Sequence, residues 1–465
     1  MASDLPAETP SNKLVTGPLR STLFWLAMPV FGEQVLNFLV GFYDVYLSGH
    51  LPADIRTAAT AAVGVSAYVG WLASMVFALV ATGTTALISR AWGSGDRHQA
   101  NLVANRSVVL GVLTGGLFLL CVIPAAGRLV EAMGLEGYAG EIAIRYIRLD
   151  AIGLLFASVS FVIAAALRGC GDTRTPMLIF SGVNVVNVVV STVLVYGYGP
   201  IPALGVDGIV GGTIAARVSG GLVFLVCMAR GLDGITLNRS ELILRGDTVR
   251  RILRIGLPAA ADGVVMWIGH CLFLNVISRL GEASYGEAAF AAHIIGVRVE
   301  AISYLPAVAW GAAAATMVGQ AIGAGERDRA VRAGHEAALQ CGLFGIAITL
   351  WFTLGAGWIY RMMHQDELVR QIGTDPFRVV GLFQIPMMLA IVYFAALRGA
   401  GDTKFPLYAT MFTTYVLRIP VGYFFGVTMQ MGLMGAWMGM NCDMLARGLL
   451  ALWRFSSRTW LDIEV

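Results

Sequence analysis

Runs of twenty or more mostly apolar residues recur along the whole chain, and few other features constrain a fold so tightly. A helix rises about 1.5 Å per residue, so such a run spans the roughly 30 Å of a bilayer's hydrocarbon. Twelve runs are read, at about 23–48, 58–89, 104–126, 146–167, 176–197, 204–229, 252–279, 288–320, 335–358, 378–397, 406–427 and 433–454. With 57% hydrophobic and 13% charged residues there is too little polar surface to coat a core of this size in water. The expected class is therefore an all-α integral membrane protein with the lipid bilayer as its main solvent.

The net charge of +3 is spread over loops without a basic stripe, which gives nucleic-acid binding no support. The six cysteines stand alone and lack the spacing of a zinc or redox site, so no metal is expected. Lys and Arg crowd one alternating set of loops. The opposite set holds only Arg56, Arg128, Arg279, Arg361, Arg370 and Arg378. The positive-inside rule then places both termini in the cytoplasm of a multi-pass cell-membrane protein, with a bacterial inner membrane expected.

The chain also repeats itself. Leu167-Arg168-Gly169-Cys170-Gly171-Asp172-Thr173-Arg174-Thr175-Pro176 returns as Leu397-Arg398-Gly399-Ala400-Gly401-Asp402-Thr403-Lys404-Phe405-Pro406, an offset of 230. The segment from Arg90 to Arg97 returns from Gln320 to Arg327 at the same offset, Arg217 matches Arg447, and Pro29 matches Pro258 after a one-residue slip. Six crossings per unit put both halves in the same orientation, so the repeat is parallel and a cavity is expected between the halves near mid-membrane. The expected organisation is a cytoplasmic tail over 1–22, a six-helix lobe over 23–229, a linker over 230–251, a second six-helix lobe over 252–455 and a tail over 456–465. In the repeated loops the glycines permit a tight turn, Asp172 or Asp402 can cap the next helix, and Pro176 or Pro406 suits its first turn. Arg168 with Asp172, and Arg398 with Asp402, are alternatively a cytoplasmic gate whose ion pairs break on opening.

Carboxylates in lipid cost at least about 2.5–3.5 kcal/mol and so mark candidate sites. Glu33 and Asp44 lie 11 residues apart on one stripe of the first helix, with Asn37 and Gly41 between them. Asp262 follows Pro258 by four residues, as Glu33 follows Pro29. Asp443 and Arg447, four apart, are expected to pair with each other. Tyr68, Trp71, Met266 and Tyr393, with Asn37 and Asp262, are candidate linings of a substrate cavity, where ring faces and a thioether suit a planar cation.

The doubled loop motif, Gly41-Phe42-Tyr43-Asp44 in the first helix and Leu417-Arg418-Ile419-Pro420 in the eleventh resemble the multidrug and toxic compound extrusion (MATE) family over nearly the whole chain. The resemblance implies a twelve-helix, two-lobe antiporter that exports cationic or amphipathic small organic molecules in exchange for H+ or Na+. It implies Asp44 as the first-helix coupling acid, with Asn187 and Thr213 beside it and Glu33 on the same stripe. Ser191 stands where several members carry a second acid, which weakens a sodium site and favours the proton. Without a GxxxxGK[ST] loop or a reactive cluster, neither an ATP-driven pump nor an enzyme is expected, and no cofactor beyond the coupling ion. A monomer is expected, and export of lipid-linked or polyprenyl substrates is the alternative within transport.

Overall fold

The computed structural model describes residues 13–231, 234–244, 246–281 and 283–464; the first twelve residues of the expected tail and Arg245 of the expected linker lie outside them. It is all-α. The helices are α1 (Leu19–Gly49), α2 (Ala53–Gly93), α3 (Arg97–Ala132), α4 (Gly137–Cys170), α5 (Arg174–Tyr196), α6 (Val206–Ala229), α7 (Gly246–Ile277), α8 (Ala283–Gly323) and α9 (Arg327–Met363). A bent α10 (Glu367–Leu382 and Gln384–Gly399), an irregular α11 (Lys404–Phe412 continuing through Thr428) and α12 (Gly432–Ser456) complete twelve. Among the described residues nine helices are long and apolar enough to cross a membrane unaided, and α10 makes a tenth. Their outer faces are apolar and open, with Leu120 72% and Leu354 79% exposed, a surface that suits hydrocarbon and not water.

Two compact units divide the chain. One comprises Met28–Trp92 and Asp96–Gly256; the other comprises Leu257–Val465 with Gly93–Gly95 and the stretch up to Ala27. They are called the N-terminal and C-terminal lobes below.

The sequence repeat is a structural repeat within each lobe. Gly171 closes α4 with φ 99° and Gly401 follows α10 with φ 93°, the left-handed region that glycine enters without a Cβ penalty. Asp172 Oδ1 then accepts from the backbone N–H groups of Arg174 and Thr175 at 2.9 and 3.0 Å, and Asp402 Oδ1 accepts from Phe405 N–H at 3.4 Å. The glycine two positions earlier sets helix packing. A Cβ on Gly169 would lie 3.3 Å from the carbonyl oxygen of Thr85 on α2, and one on Gly399 only 2.3 Å from that of Ala315 on α8. Thr85 and Ala315 are themselves related by the offset of 230.

Three features differ from the sequence reading. The tenth helix begins at Glu367 instead of near 378, and its two parts meet at 50°. Pro386 explains the break, because its ring clashes with the carbonyl four residues earlier and it supplies no N–H. Gln384 Nε2 donates to Val380 O at 3.1 Å, alongside the Phe383 N–H at 3.0 Å. In α11, π-helical turns occupy Thr413–Arg418 and Phe424–Thr428, next to Pro420. The connection after α6 is clamped onto the N-terminal lobe. Asn105 donates to Thr236 O at 2.9 Å and accepts from Asn238 N–H at 2.9 Å, while Asn101 accepts from Thr236 N–H at 2.7 Å. Glu241 takes further bonds from both asparagine amides.

The two repeated glycines separate by the softness of what they face. Gly399→Ala drives a methyl into the backbone of Ala315 and is expected to cost about 1–3 kcal/mol, the usual penalty of overpacking. Gly169→Ala first meets Ile88 Cγ2 at 3.1 Å, which a side-chain shift relieves, so its cost is smaller. Melting of the two variants in detergent checks the order; equal losses would remove the backbone contact as the cause.

Candidate functional site

The polar interior of the N-terminal lobe assembles around Thr213 on α6. Thr213 donates to Ile209 O at 3.1 Å, one turn back, and its oxygen accepts from Asn187 Nδ2 at 3.2 Å. Tyr146, buried on α4, stands beside Thr213 and within electrostatic reach of Asp150, Asp44 and Arg217. Ser191, fully buried, donates to Ile209 O at 3.4 Å, and Gly212 allows that approach, since a Cβ there would fall 2.0 Å from the serine oxygen. Asn187 Oδ1 remains sealed from solvent without a partner.

The charges sit beside this hydroxyl and amide set. Arg217 Nη1 on α6 donates to Asp150 Oδ1 on α4 at 2.6 Å, and Asp150 is 3% exposed. Asp44 on α1 feels both Arg217 and Asp150, and its Oδ1 is buried without a hydrogen-bond partner. One guanidinium thus faces two carboxylates and is committed by hydrogen bonding to Asp150. Asp44 keeps the unsatisfied oxygen. The expected neighbours Asn187, Ser191 and Thr213 fall in one cluster around Thr213, with Asp44 tied to it through Arg217, Asp150 and Tyr146. Tyr146 and Asp150 were not singled out from sequence. Asp150 stands 67 residues from Arg217, and the only available signal was a lone acid in an otherwise apolar fourth run.

Glu33 does not join this cluster. Arg168 Nη2 donates to both of its oxygens at 2.7 Å, fixing the end of α4 to α1. The C-terminal lobe repeats the arrangement, with Arg398 donating to Asp262. The arginines of the repeated loops therefore differ from the expected gate pairs. Arg168 holds Glu33 while Asp172 caps α5; Arg398 holds Asp262 while Asp402 pairs with Arg454 at 2.7 Å. Expecting Arg168 to meet Asp172 failed because the left-handed turn at Gly171 aims the aspartate at the free N–H groups of α5.

Of the cavity candidates, Asn37 accepts from Asn184 Nδ2 at 3.0 Å, and Tyr68 and Trp71 are partly exposed at 37% and 38%. In the C-terminal lobe Met266 receives a contact from Arg447 Nη1 at 3.2 Å. Tyr393 is 5% exposed, meets His335 Nδ1 at 3.0 Å and packs on Phe455, so it is interior packing within that lobe and not an open wall. The expected Asp443–Arg447 pair is present at 2.7 Å, and Arg418 joins Asp443 at 2.6 Å. No group of three or more metal-ligating side chains occurs among the described residues.

A duplicated six-helix lobe with charges partnered inside each copy defines a multi-pass membrane transporter of the two-lobe helical class. The MatE family model matches residues 29–193 and 263–424. This chain belongs to the MATE family. It is 30% identical to a probable multidrug resistance protein NorM of Thermotoga maritima, over 95% of this chain and 93% of that one. It is 26% identical to the multidrug resistance protein PmpM of Pseudomonas aeruginosa, over 90% and 87%. Among solved structures, a MATE protein in the straight conformation superposes with a TM-score of 0.87 at 23% identity, covering 97% and 99% of the two chains. A MOP superfamily transporter from Pyrococcus furiosus, described as having a binding pocket of reversed polarity, reaches 0.88 at 22%, covering 98% and 99%. These two likenesses bear on fold alone.

Removing one member of the Arg217–Asp150 pair leaves the other charge buried. Arg217→Ala is expected to destabilise the protein by about 3–5 kcal/mol, whereas Arg217→Met combined with Asp150→Leu recovers most of the loss. Thermal unfolding in detergent reads both. An Arg217→Ala protein that melts like the parent would mean the pair bears no structural load.

Proposed function

We propose that the protein is a proton-coupled exporter of cationic or amphipathic small molecules, with the exchanged proton carried on Asp44. The observation behind this reading is the unpartnered Asp44 carboxyl oxygen beside an arginine already engaged by Asp150. A carboxyl in that position is satisfied in two ways, by a proton or by a bound cation, and exchange between the two is what antiport requires. Relatives named for multidrug resistance support the substrate class and leave the lipid-linked alternative without support.

The chemistry of the cluster favours the proton over sodium. A hard cation wants several oxygens and net negative charge. Asn187 Oδ1 and the Thr213 hydroxyl offer oxygens, but Arg217 brings a positive charge into electrostatic reach of Asp44. With Asp150 answering Arg217, the cluster keeps a single net negative charge on Asp44, which suits one proton better than a metal ion that wants more than one acid.

In the proposed cycle the inward-facing lobes take up the cationic substrate near ionised Asp44. A proton from the far side then neutralises the carboxyl, weakens its hold on the cation and favours return after release. The membrane potential contributes about 2.3 kcal/mol per charge per 100 mV, so no ATP is needed. Both termini are placed in the cytoplasm of a cell membrane, and the functional unit is a monomer.

In proteoliposomes loaded with ethidium, an imposed proton gradient is expected to drive efflux, and a sodium gradient of equal size is not. Asp44→Asn should reduce gradient-driven efflux at least tenfold, equivalent to about 1.4 kcal/mol in the transition state. Undiminished efflux in that variant would remove Asp44 from coupling, and sodium-driven efflux would replace the proposed ion.

A further inference from the structure

In each lobe the sixth helix is followed by a segment that returns onto the third. After α6, Ile235 is 2% exposed, Leu237 N–H donates to Met228 O at 2.9 Å, and Asn101 and Asn105 of α3 hold the backbone of Thr236 and Asn238. After α12 the chain reverses at Arg458, whose φ of 57° is left-handed and strained for a residue with a Cβ. Such a conformation persists only where surrounding contacts over-determine it. A short 3-10 turn, Thr459–Asp462, then lies back on the C-terminal lobe.

One apolar anchor and three polar ties hold it there. Trp460 is fully buried, its ring stacks on that of Phe455 with centres 4.6 Å apart, and its Nε1 donates to Phe455 O at 2.7 Å. Phe455 in turn meets Tyr393 and His335 at 5.1 and 5.2 Å. Gly334 of α9 admits its ring, since a Cβ there would fall 2.1 Å from Phe455 Cζ. At the start of α9, Asp328 accepts from Arg458 Nη1 at 3.1 Å and Arg327 Nη1 donates to Asp462 at 2.9 Å. On the other side Arg454 donates from Nη1 to Thr459 Oγ1 at 2.6 Å and from Nε to Asp402 Oδ2 at 2.8 Å. The pairs with α9 are exposed and contribute little by themselves. Trp460 therefore carries the attachment, and the charged contacts set its register.

Arg454 answers the oxygen of Asp402 that the α11 cap leaves over. In the N-terminal lobe the matched acid, Asp172, caps α5 in the same way, but its Oδ2 is buried without a hydrogen-bond partner. The position matched to Arg454 there is the apolar Phe224. The segment after α12 thus has a role that its counterpart lacks. It holds the turn from α8 to α9 directly and the turn from α10 to α11 through Arg454, and those two turns carry the repeated motifs of the lobe.

We propose that residues 457–463 are a strap of the C-terminal lobe that ties these two turns together, so that they shift and open as one unit. Local opening in proteins occurs in such contiguous cooperative units, and the strap defines one from turns 76 positions apart in sequence, Glu326 and Asp402. The device depends on neither the coupling ion nor the substrate.

Hydrogen exchange of the whole protein in lipid reads the strap. The amides of Glu326 and Asp402 are hydrogen-bonded within the two turns, at 2.8 Å to Ala321 O and at 2.8 Å to Leu397 O. Trp460→Ala is expected to speed exchange at least tenfold in peptides covering both turns and to leave α4 and α6 as in the parent. Asp402→Asn, at the other end, is expected to speed exchange severalfold at Leu461 and Ile463, whose amides bond to Arg458 O and Trp460 O. Faster exchange confined to the strap in Trp460→Ala, or in one turn without the other, overturns the proposal. If Trp460→Ala loosens the helices of both lobes alike, Asp402→Asn decides alone, and a strap that exchanges as in the parent in that variant overturns the proposal.

Discussion

A charge inside a lobe must be answered from within that lobe, because the lipid around the helices offers neither water nor counter-ions. Each lobe meets the demand first with the same device, an arginine from the end of its fourth crossing held on a carboxylate one turn beyond a proline. Arg168 with Glu33 and Arg398 with Asp262 are that device. Once those acids are neutralised, α1 and α7 can pass through the apolar interior despite carrying ionisable side chains. Breaking either contact would strand a carboxylate that is about 4% exposed, which is far costlier than never having placed a charge there.

The parts of the molecule that were legible from sequence are those set by local chemistry. Apolar runs placed the helices because length and hydropathy are properties of a segment, although the helices run past the apolar stretches, α4 from Gly137 instead of near 146 and α9 from Arg327 instead of near 335. The turns after α4 and α10 were legible because left-handed glycines and capping aspartates act within a few positions. What escaped the sequence depends on distant partners. Arg217 was visible as a repeated position, but its acid, Asp150, comes from another helix 67 residues away. Arg168 was assigned to the nearest acid in sequence, and the fold gave it one 135 residues distant. The clamp by Asn101 and Asn105 on the segment after α6 had no local signature, since asparagines in a helix say nothing of which backbone they will hold. The tenth helix was shortened because Asp366, Glu367, Arg370, Asp375 and Arg378 resemble a loop until Arg370 and Arg378 are seen paired along one helix face.

Among the candidate site residues the same division holds. The acid on α1 was visible because a charge in an apolar run is conspicuous by itself. Tyr146 resembles any aromatic near a helix start until the fold sets it beside Thr213, Asp150 and Arg217.

Comparison of the two lobes shows which features the duplication kept. Glycine, proline, capping aspartate and the arginine that holds the first helix recur at matching places, and all of them act on backbone geometry or helix position. The interior polar networks do not recur. Counting from the matched prolines, the position of Asp44 corresponds to Phe273, which is 1% exposed and packs on His293 with ring centres 5.8 Å apart. The position of Asp150 corresponds to Val380, whose carbonyl receives Gln384. Arg447 matches Arg217 but binds an acid on its own helix, with Arg418 as a second donor to it. Residues that define the fold are tied to their duplicates because both lobes must close around the same helix crossings. The polar networks are free to diverge so long as every buried charge and donor finds an answer within its lobe. Asp44 has a buried carboxyl oxygen and no ion pair among the described residues, and that separates its chemistry from Glu33 and Asp262, the paired carboxylates that hold the helices together.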